Sequence, residues 1–465
     1  MVDQPKEACG LFGIHAPEED VARLTFFGLF ALQHRGQESA GIATADGRRL
    51  YIHTSMGLVS QAFDESALEG LTGHMAIGHA RYSTTGSSSI NNAQPIRLKG
   101  PFGEIAVGHN GNLVNAIQLR DELAAQGVQF KGSTDTEVIA QWLTHAPGKT
   151  WPERIKYCIN RFQGAYCLVV LTPDSLIGIR DPLGVRPLAL GRLNGGWVLA
   201  SESCALDHIG SEMVREVEPG EAIIIDGSGL QSFQLQSLEK KALCIFEHIY
   251  FARPDSIFGG RLIHLARQRM GAQLAREYPV EADMVMGVPD SAVAAAIGYS
   301  RESGIPLGEG ILKNRYAGRT FIEPDQRIRE LGVRLKFNTM PEVLKNKKVV
   351  VVDDSIVRGT TTPHVVGLLR KAGVTEVHMR ICAPPIRYPC FFGVDFATRM
   401  ELLAAQKSVS EICEYIGANS LGYLSVEGLI EAVGIAENQV CTACFTGRYP
   451  IPVQLEMDKL ALEVS

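Results

Sequence analysis

The chain has 465 residues, of which 45% are hydrophobic and 21% charged, and a formal net charge of −6. This length predicts two or three domains, and this composition a globular protein. The charge, with no basic block beyond KNKK at 345–348, argues against nucleic acid as the main partner.

Neither a membrane nor an export signal is evident in the sequence. No stretch has the apolar length of a transmembrane helix. The first eight residues, MVDQPKEA, lack the apolar core of a signal peptide and the arginines of a transit peptide. We therefore expect a cytoplasmic protein with no membrane partner, in which the ten cysteines do not form a disulfide framework.

The first half of the chain, from residue 9 to about 234, carries mainly short strand patterns. Strands predicted at 40–44 and 50–54 flank the turn ADGRR, and AYCLVVL, LIGIR, WVLAS and AIIID follow at close intervals. Helical spacing appears at roughly 19–33 and 136–143. Runs of strands with few helices predict an α+β layered domain.

The second half, from about residue 245, alternates helices and strands. Helical spacing at 261–277 precedes the strand ADMVMGV, the helix SAVAAAIGYS and two further strands, VVVV and VTEVHMRI. This alternation predicts an α/β domain with a parallel sheet. Residues 230–243, which lack a strong pattern, are predicted to be the linker.

One stretch of the second half, VVVVDDSIVRGTTT at 349–362, places two acidic residues at the end of an apolar run. Its valines predict a buried strand that ends in two carboxylates, Asp353 and Asp354. Two solvated acids at a strand exit would be one explanation. The other is a ligand site, because ligands of open parallel sheets bind at the carboxyl ends of strands. The turn that follows offers backbone N–H groups and hydroxyls suited to a phosphate.

Two more stretches suit a phosphorylated sugar. GVPDSA at 287–292 is a second strand-to-helix turn, and KNRYAGRTFIEPDQRIRE at 313–330 is rich in cations. The latter is either a lid that closes on an anion or a solvated basic loop. No GxxxxGK[ST] motif occurs, which excludes a P-loop.

The stretch 349–362 closely resembles the signature of the type I phosphoribosyltransferases. The resemblance implies that paired acids hold the ribose hydroxyls of 5-phosphoribosyl 1-diphosphate and that Ser291, Asp353 and Asp354 face one Mg²⁺. The residues expected to bind this substrate are Asp353, Asp354, Ser355, Arg358, Gly359, Thr360, Thr361, Asp290, Ser291, Lys313 and Tyr316.

The first half offers a different chemistry. Cys9 opens a strand pattern in KEACGLFGI, where a cysteine is usually a small core residue. The polar turn HNGN at 109–112 is of a kind that can aim N–H groups at an oxyanion. Arg81 suits a carboxylate and Asp135 an ammonium group, which are the two charged ends of an α-amino acid.

Together CGLFGI, LQHRGQESAGI, ARYSTTG, HNGNL and STDTE resemble the glutamine amidotransferases of the N-terminal-nucleophile class. In that class the cysteine is residue one of the mature chain and its α-amine is the base. The resemblance implies that residues 1–8 are a propeptide and that Cys9 attacks glutamine. It also implies that Asn110 and the Gly111 N–H hold the oxyanion, while Arg81 and Asp135 bind glutamine.

A glutaminase followed by a phosphoribosyltransferase resembles the amidophosphoribosyltransferases. This resemblance implies a layered αββα domain at 9–235 and an α/β domain at 236–465. The expected reaction converts glutamine, 5-phosphoribosyl 1-diphosphate and water into 5-phosphoribosylamine, glutamate and diphosphate. Two alternatives remain: a glutaminase that feeds ammonia to a different sugar phosphate, and a nucleotide sensor without catalysis.

The cysteines extend the resemblance to the iron–sulfur members of that family. It implies that Cys244, Cys390, Cys441 and Cys444 hold one [4Fe–4S] cluster, with Zn²⁺ as the alternative. The C-terminal tail would then be cluster-binding, whereas the remaining cysteines lie in apolar patterns. The family also implies feedback inhibition by purine nucleotides and a homotetramer.

Overall fold

The computed structural model describes residues 9–82, 87–314, 337–394 and 398–453, together with residue 462. The predicted propeptide 1–8, the predicted substrate-binding residue Tyr316 and most of the basic stretch 313–330 lie outside the described residues. The described part of the chain folds as two units that pack against each other.

The first half contains two antiparallel sheets. One has seven strands in the order β11-β9-β10-β1-β4-β2-β3, and the other has six in the order β13-β12-β8-β7-β6-β5. The strands are β1 Gly10–His15, β2 Ser39–Ala45, β3 Leu50–Met56, β4 Met75–Arg81, β5 Ile96–Gly100, β6 Gly103–Leu113, β7 Gly164–Leu171, β8 Leu176–Arg180, β9 Ala189–Leu193, β10 Gly196–Ala200, β11 Glu212–Glu216, β12 Glu221–Asp226 and β13 Gly229–Gln234.

Helices cover the outer face of each sheet. They are α1 Val21–Ala31, α2 Val59–Ala62, α3 Glu65–Glu69, α4 Ala116–Ala124, α5 Asp135–His145, α6 Trp151–Ile159 and α7 Ser203–His208. The inner faces of the sheets share a core that includes Leu11, Ile77 and Val169. Separate cores lie beneath α1 and α7 and beneath α4, α5 and α6. Four layers in the order αββα result, which confirms the predicted fold class.

The predicted linker is partly wrong. Residues 229–234 form β13, the edge strand of the six-stranded sheet, where they pair with β12. The alternating pattern of this strand is weak because most of its side chains are exposed or only half-buried. Sequence periodicity detects a strand by its buried face, and this strand buries little.

The second half contains a parallel four-stranded sheet in the order β17-β20-β21-β22. Its strands are β17 Met284–Gly287, β20 Lys348–Asp353, β21 Glu376–Ile381 and β22 Ser420–Tyr423. Short two-stranded ladders join β14 Leu243–Cys244 to β23 Val440–Cys441, β15 Ile257–Phe258 to β16 Arg261–Leu262, and β18 Ile311–Lys313 to β19 Phe337–Thr339. The parallel sheet confirms the predicted α/β class.

Helices pack on both faces of this sheet. They are α8 Ile263–Glu277, α9 Val293–Ser303, α10 Pro341–Leu344, α11 Thr362–Lys371, α12 Leu403–Gln406, α13 Val409–Ile416, α14 Val426–Val433 and α15 Ala443–Thr446. A π-helical turn, Glu247–Phe251, is separated from β14 by two residues. Within the ranges that the structure describes, no helix is both long enough and apolar enough to cross a membrane.

Candidate active sites

Cys9 lies immediately before β1, in the inner region of the first half. Its side chain is buried, with only 7% exposed. The thiol Sγ donates to the carbonyl of Tyr82 at 3.3 Å and accepts from the Tyr82 N–H at 3.4 Å. Because β1 runs antiparallel to β4, the start of β1 meets the end of β4, which carries Arg81.

Burial controls the protonation of this thiol. Desolvation raises the pKa of Cys9, and only part of that increase is offset by the Tyr82 hydrogen bond and the charge of Arg81. The carboxylates of Glu38 and Asp135 also lie close enough to raise it. The thiol is therefore protonated at neutral pH, and a nucleophilic attack requires a base that takes its proton.

Asn110 and Gly111 lie on β6, in the sheet that faces β1. The side chain of Asn110 is 1% exposed, and neither its amide nitrogen nor its amide oxygen has a hydrogen-bond partner among the described residues. Gly111 has φ +148°, and a Cβ there would lie 2.0 Å from the Ala165 carbonyl oxygen. An unpaired buried amide is costly, so a ligand or a water molecule is expected to complete its hydrogen bonds.

Asp135 starts α5 beside the same strand. Its Oδ2 accepts from the Leu113 N–H at 3.0 Å and lies 3.6 Å from His109 Nδ1. Burial acts to raise the pKa of Asp135, but the charge and hydrogen bond of His109 and the backbone N–H groups lower it overall. A buried, ionised carboxylate beside the Asn110 strand suits an ammonium group.

Arg81 is also buried, and its charge is balanced within the protein. Its Nη1 donates to Glu38 Oε1 at 2.9 Å and to the Ser87 carbonyl at 3.3 Å. Glu38 belongs to the LQHRGQESAGI stretch but was not singled out from the sequence. A substrate carboxylate at Arg81 would share this guanidinium with Glu38.

The two strand-to-helix turns of the second half lie side by side. Parallel pairing sets Gly287 of β17 opposite Val352 of β20, so the 287–292 turn and the Asp353–Asp354 pair emerge at one sheet edge. Ser291 Oγ donates to Asp354 Oδ2 at 2.5 Å, which joins the two turns directly. Ser355 Oγ donates to Asp354 Oδ1 at 2.6 Å.

The acids themselves are buried where the strand ends. Asp353 is 9% and Asp354 2% exposed, and the Asp354 N–H donates to Asp353 Oδ1 at 2.9 Å. The structure therefore excludes the solvated strand exit. Carboxylates in such a position keep their charge only if hydroxyls, N–H groups or a cation surround them.

Other predicted phosphate-site residues that the structure describes lie in these turns or pair with them. Lys313, at the end of β18, pairs with Asp290 at 2.8 Å. Arg358 pairs with Glu401 at 2.7 Å, and Gly359 has φ +70° in the turn before α11. Thr360 and Thr361 complete that turn, and α11 begins at Thr362.

Four cysteines from distant parts of the chain line one cavity. Cys244 and Cys441 are register partners in the β14–β23 ladder, and Cys390 and Cys444 line the same cavity together with Phe246 and Tyr449. All ten cysteines are free thiols. Burial raises the pKa of Cys244 to about 11, and burial and the neighbouring thiols raise that of Cys441 to about 12.

These thiols do not form a ready-made ion site. The described residues contain no group of three or more His, Cys, Asp or Glu side chains in the arrangement that holds a metal ion. The donor set is nevertheless soft and its surroundings apolar, which suits an iron–sulfur group rather than a hard cation.

Buried charges that the sequence patterns do not single out join the two halves. Glu247 and Arg186 are both 0% exposed and pair at 3.2 Å, although they belong to different halves. A signal was present, because Glu247 interrupts the apolar run in CIFEHIYF and Arg186 that in PLGVRPLAL. A charged residue in a buried run implies a buried partner.

Comparison with known proteins assigns both halves to protein families. Residues 79–208 match the model of the glutamine amidotransferase domain. Residues 255–384 match the model of the phosphoribosyl transferase domain.

Similar proteins extend the match to nearly the whole chain. Amidophosphoribosyltransferase from Synechococcus elongatus is 51% identical over 99% of this chain and 95% of its own length. The protein of the same name from Synechocystis is 53% identical with the same coverage. The glutamine phosphoribosylpyrophosphate amidotransferase of Bacillus subtilis, solved with ADP and GMP, superposes with a TM-score of 0.91 at 45% identity, covering 96% of this chain and 98% of that one. The chain therefore belongs to the amidophosphoribosyltransferase family.

Proposed function

We propose that this chain converts glutamine, 5-phosphoribosyl 1-diphosphate and water into 5-phosphoribosylamine, glutamate and diphosphate, the first step of purine synthesis. Family membership supports this reaction. The observation that carries it is the presence, in one chain, of a buried thiol at the start of β1, of an Asn110 side-chain amide with no partner among the described residues, and of two buried acids at a parallel strand end. The alternatives, a different acceptor sugar or a sensor without catalysis, do not fit this pair of centres together with the family.

In the first half, Cys9 attacks the side-chain amide of glutamine. Asn110 Nδ2 and the Gly111 N–H hold the oxyanion of the tetrahedral intermediate, and the Asn110 amide, which has no hydrogen-bond partner in the described part of the chain, supports that role. Arg81 binds the α-carboxylate of glutamine. Asp135, whose pKa is lowered, binds the α-ammonium group.

The base is the free α-amine of Cys9 after removal of residues 1–8. A reference pKa of about 7.7–8.0 allows an α-amine to accept the thiol proton near neutral pH. The peptide nitrogen of an internal cysteine is not basic, so the same residue cannot activate itself before cleavage. This chemistry supports a propeptide that ends at Ala8.

In the second half, Asp353 and Asp354 hold the ribose hydroxyls and the turn from Ser355 to Thr361 holds the 5-phosphate. Asp290, Ser291, Lys313 and Tyr316 bind the diphosphate side. Ser291, Asp353 and Asp354 would hold one Mg²⁺, and the oxygen donors at Asp354 fit this hard cation. When bound, Mg²⁺ neutralises charge on the departing diphosphate. Few protein ligands are needed because Mg²⁺ keeps waters and substrate oxygens in its shell.

Ammonia released at Cys9 reacts at the anomeric carbon of the sugar. It must arrive unprotonated, because protonation removes the lone pair that attacks. We propose that it passes between the two halves without meeting bulk water. The close packing of the halves around Glu247 and Arg186 supports such a protected route.

Cys244, Cys390, Cys441 and Cys444 would hold one [4Fe–4S] cluster with a structural role. A four-iron cluster separates its thiolate ligands more widely than a single ion does, which favours it over Zn²⁺ for thiols that share a cavity without ion-binding geometry. No step of the reaction transfers an electron. The cluster would tie β14 and the 390–394 loop to the C-terminal tail.

Further proposals concern organisation and regulation. We propose domains at 9–235 and 236–465, a cytoplasmic location and a homotetramer. Purine nucleotides are proposed as feedback inhibitors, in keeping with the ADP and GMP in the Bacillus subtilis structure. Neither nucleic acid nor a membrane is expected as a partner.

The two centres predict separable activities. Asp353→Asn or Asp354→Asn should abolish phosphoribosylamine synthesis from either glutamine or ammonia while leaving some glutamine hydrolysis, because only the sugar site loses a charge. Both activities are measured in purified protein. Asp283→Asn, at the opposite edge of the same sheet, is the matched control, since the Asp283 carboxylate accepts the Lys348 N–H there at 2.8 Å. Normal synthesis in both site variants would contradict the assignment of the sugar site.

The propeptide predicts the N-terminus of active protein. Intact mass and N-terminal sequencing should find a chain that begins at Cys9. Cys9→Ala should retain residues 1–8 if the cut is autocatalytic. A chain that begins at Val2 and hydrolyses glutamine at full rate would refute both the cleavage and the α-amine base.

If the four cysteines of the cavity hold a cluster, the metal content of the protein should depend on them. Protein purified without oxygen should contain about four irons and four sulfides per chain, as a [4Fe–4S] group requires. Cys444→Ser should lower both contents. Cys413→Ser should not, because Cys413 lies on α13, away from the cavity. Stoichiometric zinc in protein prepared this way would overturn the cluster.

A further inference from the structure

The carbonyl group of Cys9 is connected to the second half of the chain by one buried arginine. Arg35 Nε donates to the Cys9 carbonyl at 3.3 Å. The same guanidinium forms a bidentate pair with Glu247, at 3.0 Å from Nη1 and 2.8 Å from Nη2. Arg35 is 1% exposed and Glu247 not at all. The main chain at the nucleophile is therefore held through a carboxylate that belongs to the other half.

A second buried arginine, Arg186, links Glu247 to the 390–394 loop. Arg186 Nη1 donates to Glu247 Oε1 at 3.2 Å. Its Nε and Nη2 both donate to the Phe392 carbonyl, at 3.2 and 2.9 Å. Glu247 thus lies between two arginines of the first half, one directed at Cys9 and the other at this loop.

The 390–394 loop packs against the main chain of Gly111. Asn112 Nδ2 donates to the Phe391 carbonyl at 3.0 Å. Gly393 has φ +97°, and a Cβ there would lie 3.1 Å from the carbonyl carbon of Gly111 and 3.2 Å from its Cα. The backbone of the second half therefore packs against Gly111, the residue whose N–H is proposed to hold the oxyanion.

The buried charges around Glu247 are balanced, and this balance restricts how the two halves can pack. Glu202 accepts from Arg35 Nη1 at 2.5 Å, so two buried carboxylates face two buried guanidinium groups. Burial alone would lower the pKa of Arg35, but the carboxylates of Glu247 and Glu202 raise it overall. Buried ions that lose a partner are strongly unfavourable, which restricts the geometry in which the two halves can pack.

We propose that Glu247 and the 390–394 loop are positioning elements of the glutaminase centre, which fix the main chain of Cys9 and of Gly111 relative to each other. The inference rests on the proposed roles of Cys9 and Gly111. It means that the residues proposed to bind glutamine lie in the first half, whereas contacts that align their main chain come from the second half. Glu247, Arg186 and Gly393 have no proposed contact with a substrate, so the effect expected of them is on alignment.

Two variants test this proposal in the full-length protein. Gly393→Ala adds a methyl group toward Gly111 in a backbone conformation that disfavours alanine, and Glu247→Gln keeps the shape but removes the charge between the arginines. Each should lower kcat of glutamine hydrolysis by about 10- to 100-fold, the scale of a small misalignment, with little change in KM for glutamine. Phosphoribosylamine synthesis from ammonia and the iron content should stay at the parent level.

Matched variants separate the possible outcomes. Gly304→Ala shares a positive φ of +74° but has nothing within 4 Å of the added Cβ, so it should leave glutamine hydrolysis unchanged. Asn110→Ala should lose glutamine hydrolysis. If it does not, the oxyanion assignment itself is wrong.

Three results would overturn the positioning role itself. The first is glutamine hydrolysis at the parent rate in both Glu247→Gln and Gly393→Ala while Asn110→Ala is impaired. The second is an equal loss of ammonia-dependent synthesis, and the third is a loss of iron that accompanies the loss of glutamine hydrolysis.

Discussion

The pair of Arg35 and Arg186 around the Glu247 carboxylate is the interaction on which the joined structure depends. All three side chains are almost completely removed from water. Removing one partner of such a buried pair typically costs about 3–5 kcal/mol, because the other ion remains buried and unpaired. That is a large share of the stability of an ordinary domain. The two halves are therefore expected to keep one packing arrangement. Because Arg35 also binds the Cys9 carbonyl, this packing fixes the main chain of the glutaminase centre.

In each half, the pairing of two strands brings the residues of the site together. In the first half, antiparallel pairing brings the start of β1 to the end of β4, so Cys9 meets Tyr82 and Arg81. In the second half, parallel pairing brings two strand-to-helix turns to one edge, where Ser291 contacts Asp354. Burial also controls the protonation of the nucleophile, because desolvation raises the pKa of the Cys9 thiol and makes a separate base necessary. Reactivity at both centres depends on groups that the fold keeps from water.

Features that depend on neighbouring residues were predictable from the sequence, whereas those that depend on distant contacts were not. The valine run marked β20, and the acids that follow it lie at the predicted sheet edge. The helices at 19–33 and 136–143 appeared as α1 and α5, but α6 was missed although Thr150 and Glu153 form a capping box. The sequence predicts a linker where the structure has β13, because an exposed edge strand has little hydrophobic alternation. Glu247 and Gly393 escaped notice because their partners, Arg35 and Gly111, are far away in sequence.

The most direct measurement of the central claim is a crystal structure of the mature protein with Cys9 alkylated by a diazoketone analogue of glutamine. The adduct carbonyl oxygen should lie about 2.7–3.1 Å from both Asn110 Nδ2 and the Gly111 nitrogen, the range expected for oxyanion donors. Arg35 should still join the Cys9 carbonyl to Glu247, and Gly393 should still pack on Gly111. An adduct whose oxygen points away from Asn110 and Gly111, or a bound state in which Arg35 has released Glu247, would contradict the account.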